Sequence, residues 1–530
     1  MRYQLRPAQG DILRAIFAFL FMTIVSGCAV TPGDQAMTAP GAACSIKDGE
    51  PLPENKVYRH LVVADDHGRL AYKEDMAARV NALLDEQWAL GRRKLLIYVH
   101  GGLNSEKAIV EAGDLTKIVD AMAEDGHIPL FLLWRTGGLE TWWEQTSRVR
   151  GGQRFERTIW DTPVYIATDL AQGVVRAPVT YLKQMGRVFD YYESSPEHGW
   201  KLAGEPGRYA EGKVGRRSNI IVHGNVDHEH PKLSEQASYA LTFPGRVISS
   251  PFVDSLGTTA WENMLRRART VIHQTAEFDP ACVYEGSPLA EKLLAEPRGT
   301  GAFAELFVAI EKWNAGKAKE REQLQITLIG HSMGTIILGD VIRLFPGLSY
   351  RDIVYMGAAT SIAEFSRSVV PYLRDHPDAR FYNLMLHPQR EAMELTAGGA
   401  VPSGSLLEWI DEMYEPPKTI LDRTLGKWRN VRMTRAILPQ DVSGQVVLKV
   451  FGQGPGEPLK HGAFNDAGNC FWNPGYWTVP EFKPEQTKLI EPWPKFDWEA
   501  WGRLRPRVIT ECFDTLGDEF MRKTPEQRAL

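Results

Sequence analysis

The sequence predicts an α/β domain built on a mostly parallel sheet with helices covering both faces. Three observations carry this. Continuous apolar runs of five to seven residues recur along the chain, without the alternation of a strand that has one wet face. Helix-length segments separate them, as crossovers between parallel strands require. The 530 residues, 43% hydrophobic and 24% charged, suffice for a substantial core in one large elaborated domain or two.

The first element is not part of that domain. MRYQLRPAQGDILR carries three Arg against one Asp, AIFAFLFMTIVSG is uncharged, and Cys28 follows. The uncharged stretch falls short of the roughly 20 residues that span a bilayer, so residues 1–27 read as a signal peptide. Val25-Ser26-Gly27-Cys28 resembles the bacterial lipobox. That resemblance implies acylation of Cys28 as the mature N-terminus and, with Ala29 next, sorting to the periplasmic side of the outer membrane. A lipid rather than a helix then anchors the chain to the membrane. A plain signal peptide with an incidental cysteine is the competing reading. Residues 28–56, rich in Ala, Pro and Gly, read as a flexible tether.

The core opens over residues 57–134. KLLIYV (Lys94–Val99) reads as a buried strand running into His100-Gly101-Gly102, then a helix is expected to about Asp125, then a strand at Ile128–Trp134. Residues 135–320 exceed what one crossover needs and read as a large, mainly helical cap or lid; a separate second domain is the competing reading. The core resumes over 321–530 with strands at QITLIG, Asp352–Gly357, Arg380–Leu386 and Gln445–Gly452.

At the end of QITLIG stands Gly330-His331-Ser332-Met333-Gly334. The pattern G-x-S-x-G arises by accident about 0.2 times in a chain this long at ordinary glycine and serine frequencies, so its surroundings must decide its meaning. They fit a nucleophile elbow: a strand enters, small residues flank the tight turn, and MGTIILGDVIRLF leaves as a helix whose N-terminus favours a developing oxyanion. The segment resembles the α/β-hydrolase family. The resemblance implies that fold from about residue 90 onward, with Ser332 as nucleophile and the acid and histidine following in chain order. Of the three later histidines, His376 precedes its strand, His387 sits where the family places the acid, and His461 follows the last strand on a glycine-rich loop. His461 is thus the expected general base. Glu391 is the expected acid, with Glu394 one turn later as the alternative and Asp411 and Asp422 as weaker candidates. The oxyanion hole would use the N–H groups of Met333 and Gly102, leaving His100 and His331 as structural parts of their turns. NIIVHGN (Asn219–Asn225) imitates the His-Gly loop but stands in the wrong order.

Other clusters read more plainly. His223 to His230 holds three histidines and two carboxylates and is taken as a solvated loop rather than a zinc site. Arg266, Arg267 and Arg269 are taken as a solvated helix face. Trp472, Tyr476, Trp477, Trp493, Trp498 and Trp501 are taken as packing on the core. Cys44, Cys282, Cys470 and Cys512 show no C-x-x-C spacing, leaving disulfides or buried thiols. With 61 basic against 66 acidic residues and a net charge of −5, no attraction to nucleic acid is implied. The expected activity is a serine esterase or lipase acting on carboxylic or lipid esters, without metal or organic cofactor. The rival is a non-catalytic envelope lipoprotein using the same fold as a binding module.

Overall fold

A computed structural model of the chain describes residues 50–102, 115–136, 233–273, 296–317, 323–394, 404–451, 457–465 and 470–478, with shorter pieces including 106, 109–110, 144, 163–164, 166–176 and 221–223. The signal peptide, Cys28, most of the tether, residues 224–230, Cys44, Cys282, Cys512 and the tryptophans beyond residue 490 lie outside the described residues.

Eight strands form one sheet: β1 (Leu61–Ala64), β2 (Lys94–Val99), β3 (His127–Trp134), β4 (Ile221–His223), β5 (Gln325–His331), β6 (Tyr350–Met356), β7 (Arg380–Leu386) and β8 (Val446–Phe451). Their order is β1-β3-β2-β5-β6-β7-β8-β4, and every pairing is parallel. The α/β class expected from the sequence is therefore present. Alternate residues of each strand serve opposite faces. On β2, Leu95, Ile97 and Val99 join one apolar cluster, while Leu96 and Tyr98 join the other.

The first face is covered by α1 (Met76–Ala89), α3 (Leu233–Thr270), α4 (Ala302–Lys317), α5 (Gly334–Leu344) and α6 (Ile362–Asp375). The second is covered by α2 (Leu115–Glu124) and by Phe464, Phe471, Trp472, Tyr476 and Trp477. Those last aromatics pack on the core, as their residue types suggest. Cys470, among them, is disulfide-bonded. Among the described residues no helix is long and apolar enough to cross a membrane.

The insertion is less separate than the sequence suggests. Residues 221–223, set aside as a look-alike of the His-Gly loop, form the edge strand β4 beside β8. Phe303, Leu306, Phe307 and Ile310 of α4 are buried in the same cluster as β2 and β5, so the core resumes before residue 321. A three-residue edge strand gives almost no periodic signal, and α4 reads alike as cap or core until its partners are known.

Strand order positions the site. From β2 the chain moves outward to β3 on one side, whereas β5 pairs with β2 on the other. Connections thus diverge between β2 and β5, and the carboxyl ends of strands at such a point form a natural ligand crevice. Register aligns those ends: Val99 pairs with Gly330, and Gly330 with Tyr355.

Candidate active site

Ser332 sits where β5 gives way to α5, with φ at +52°. The left-handed region costs a non-glycine residue about 1–2 kcal/mol, a cost the surroundings must over-determine. They do. The Ser332 N–H donates to the Met356 carbonyl at 2.9 Å, and its own carbonyl accepts from Thr335 N at 3.1 Å and Ala359 N at 3.2 Å. The Thr335 hydroxyl adds a bond to that carbonyl at 2.7 Å. Burial of a single core side chain such as Leu328, worth roughly 1.5–3 kcal/mol, offsets the strain.

The glycines of the motif are needed for space. A Cβ on Gly334 would stand 2.3 Å from the Val99 carbonyl oxygen, and one on Gly330 would stand 2.9 Å from Leu338 Cδ1. The His-Gly loop after β2 packs directly on the elbow. A Cβ on Gly101 would lie 2.9 Å from Ser332 Cβ, and one on Gly102 would lie 2.7 Å from Met333 Sδ. The two residues expected to form an oxyanion hole, Gly102 and Met333, are therefore neighbours. His100 has the structural place expected of it: its Nε2 accepts the Trp134 N–H at 3.0 Å, tying the end of β2 to that of β3.

His461 lies at the same edge. Its imidazole fits against Gly357, the residue after β6, where a Cβ would stand 2.9 Å from both Cε1 and Nδ1. Since Met356 accepts the Ser332 N–H, serine and imidazole flank one peptide. Ser332 Oγ and both ring nitrogens of His461 are buried and have no hydrogen-bond partner among the described residues. Burial, followed by neighbouring His331, pushes His461 down to about 3. The imidazole is thus neutral, the form a general base needs, though its bond to the serine is unmade.

The main chain of His461 is held at both ends. Its N–H donates to Glu394 Oε2 at 2.8 Å, and its carbonyl accepts from His331 Nε2 at 3.0 Å.

No protein-family model, curated protein or solved structure matches this chain. The site's chemistry therefore rests on its own geometry.

Two expectations need correction. Glu391, the expected acid, is not bonded to His461. It lies on the short helix α7 (Pro388–Met393), where its carboxyl accepts from Ser405 Oγ at 3.4 Å, beside a buried charge cluster. In that cluster Lys427 Nζ reaches Glu408 Oε2 at 2.9 Å and Asp411 Oδ2 at 3.3 Å. Burial and then the Glu408 charge push Glu391 well above the usual carboxylate range; burial raises Glu394 as well. Glu394, three residues on, is the carboxylate that meets His461. The two aspartates are occupied elsewhere: Asp411 is engaged by Lys427 and Thr424, and Asp422 caps a helical turn at Thr419.

Arg266 and Arg267 are not a solvated face either. Both are buried and converge on Glu144 Oε2, at 2.8 and 2.7 Å, with Asn263 Nδ2 at 3.0 Å. Their helix α3 brings Met264 against the His-Gly loop, 3.2 Å from where a Cβ on Gly102 would stand. Among the described residues no group of three His, Cys, Asp or Glu side chains is placed to hold a metal ion.

Proposed function

We propose that this chain is a serine hydrolase with an α/β-hydrolase fold, cleaving carboxylic or lipid esters. The observation that carries the reading is the left-handed Ser332 between two glycines that admit no side chain, with the His461 imidazole seated at the same peptide. A strained serine at the end of a central strand needs a reason, and holding a nucleophile on a sharp strand-to-helix turn supplies one. The strand order, diverging beside Ser332, agrees with that fold.

In the proposed mechanism His461 takes the proton of Ser332 as Oγ attacks the ester carbonyl. The Met333 and Gly102 N–H groups stabilise the tetrahedral oxyanion. The oxyanion collapses and the C–O bond to the leaving alcohol breaks, with His461 returning its proton to that alcohol. Water, deprotonated by the same imidazole, then releases the acid and restores the serine. Glu394 replaces Glu391 as the carboxylate that supports His461. With a lipid anchor at Cys28, this activity belongs to the periplasmic side of the outer membrane, and the disulfide at Cys470 suits an oxidising compartment.

One observation favours the rival, a non-catalytic binding module: Ser332 Oγ and the His461 ring are buried without a bond among the described residues. Catalysis then needs Ser332 Oγ to become accessible to the substrate. Hydrolysis of a panel of acyl esters by the full-length protein in detergent, beside Ser332→Ala, separates the two. Turnover lost in the variant supports the enzyme; equal background in both supports the module.

A further inference from the structure

His331 occupies the variable position of the elbow, and family resemblance gives it no part in the chemistry. Its geometry does. The ring is buried and lies 5.2 Å, centroid to centroid, from that of His461. Because Nε2 bonds a carbonyl, Nε2 carries the proton and Nδ1 is an unprotonated nitrogen. That Nδ1 is buried without a partner among the described residues, against Gly101, where a Cβ would stand 3.2 Å away. The one hydrogen bond of the side chain there goes to the loop bearing the base.

The importance of that bond follows from what His461 lacks. Neither of its ring nitrogens is bonded among the described residues, so among these residues no hydrogen bond of its own locates the imidazole. The ring is located by Gly357 behind it and by the peptide that carries it. Of the two side chains on that peptide, Glu394 comes from beyond β7, whereas His331 comes from the residue preceding the nucleophile. Of these two bonds, the one from His331 ties the position of the base directly to that of the serine.

Resting on the hydrolase reading, we infer that His331 is a positioning residue, holding the His461 loop in register with Ser332 through the bond from its Nε2–H to the His461 carbonyl. A neutral ring suits this role. Burial lowers His331 to about 4, so it adds no charge to oppose the imidazolium that forms on His461.

The bond needs an N–H donor at the reach of Nε2. His331→Gln keeps one, His331→Asn keeps polarity but is too short, and His331→Leu keeps only bulk. We would measure kcat and KM of the full-length protein in detergent on p-nitrophenyl butyrate for all three, with thermal unfolding as a folding control. The expected result is a kcat lower by about 100-fold in the Leu and Asn variants, the effect of a misplacement near 1 Å, with KM changed less than about twofold. The Gln variant should recover most of the loss. If folded Asn or Leu variants keep kcat within about threefold of wild type, or Gln is no better than they are, the inference is overturned while the hydrolase reading stands. A wild type without turnover overturns both. Should His331→Leu fail to fold, the Gln and Asn pair carries the same comparison.

Discussion

Gly357 makes room for His461: a Cβ on the glycine would stand 2.9 Å from the imidazole Cε1 and Nδ1. The glycine also has φ at +51°, so an alanine there suffers twice. Backbone strain costs about 1–2 kcal/mol, and the new methyl must displace the ring. Gly357→Ala is expected to lower thermal stability and to cut kcat by at least about tenfold, since small misplacement of a general base is severe. Steady-state kinetics beside a melting curve separates the two effects; unchanged kcat would place the ring elsewhere during catalysis.

The carboxylates divide by environment. Glu391 sits beside a buried charge cluster that, with burial, pushes its carboxyl up, whereas Glu394 accepts from the His461 main chain. Glu391→Gln is a near-isostere at a carboxyl that accepts from Ser405 rather than His461 and should leave ester hydrolysis within about threefold of wild type. Glu394→Ala removes the acceptor of the His461 N–H and should cost about 10–100-fold in kcat. The reverse ranking would restore Glu391 as the acid.

Lys427 faces Glu408 at 2.9 Å and Asp411 at 3.3 Å, all three buried. Removing one partner of such a group leaves an uncompensated interior charge. Lys427→Met is expected to lose about 3–5 kcal/mol in denaturant unfolding. A double variant, Lys427→Met with Glu408→Gln, should recover part of that loss, because one stranded charge is gone. Additive losses would show that the pair is not coupled.

Three buried imidazoles predict acid sensitivity of the fold. Burial lowers His100 and His331 to about 4 and His461 to about 3, from an ordinary 6.5. As pH falls below 6.5 the unfolded chain takes up these protons and the folded chain does not. The stability they contribute is thus complete above that value and is lost as pH falls towards the folded values. Each contributes a slope of up to about 1.4 kcal/mol per pH unit. The raised Glu391 and Glu394 act in the opposite sense from their ordinary value upward, across the same pH range, so comparison with a variant isolates the histidine contribution. Urea unfolding of wild type and His331→Gln between pH 6.5 and 5 should differ in slope by about one imidazole's share. Parallel slopes would mean that His331 is not buried in the neutral form.

How much of this was readable in the sequence follows from where each signal resides. The elbow was legible because its parts are consecutive: strand, two glycines, serine and helix lie within one run of sequence. His461 was legible as a histidine on a loop after the last strand. Which glutamate accepts the His461 main-chain N–H was not, because the orientation of the six-residue helix Pro388–Met393 decides it, and residue type is the same at both positions. The burial of Arg266 was hidden because its partner Glu144 lies 122 residues away. Gly357 read only as the end of a strand; its contact with His461 joins two loops that no local pattern connects.

The most direct measurement is fluorophosphonate labelling of the folded full-length protein, with the modified peptide identified by mass spectrometry, beside Ser332→Ala and His461→Ala. A single label on Ser332, absent from both variants, is the predicted result. A folded wild type that stays unlabelled, or a label that survives His461→Ala undiminished, would contradict it: in either case Ser332 would not be a serine activated by that imidazole.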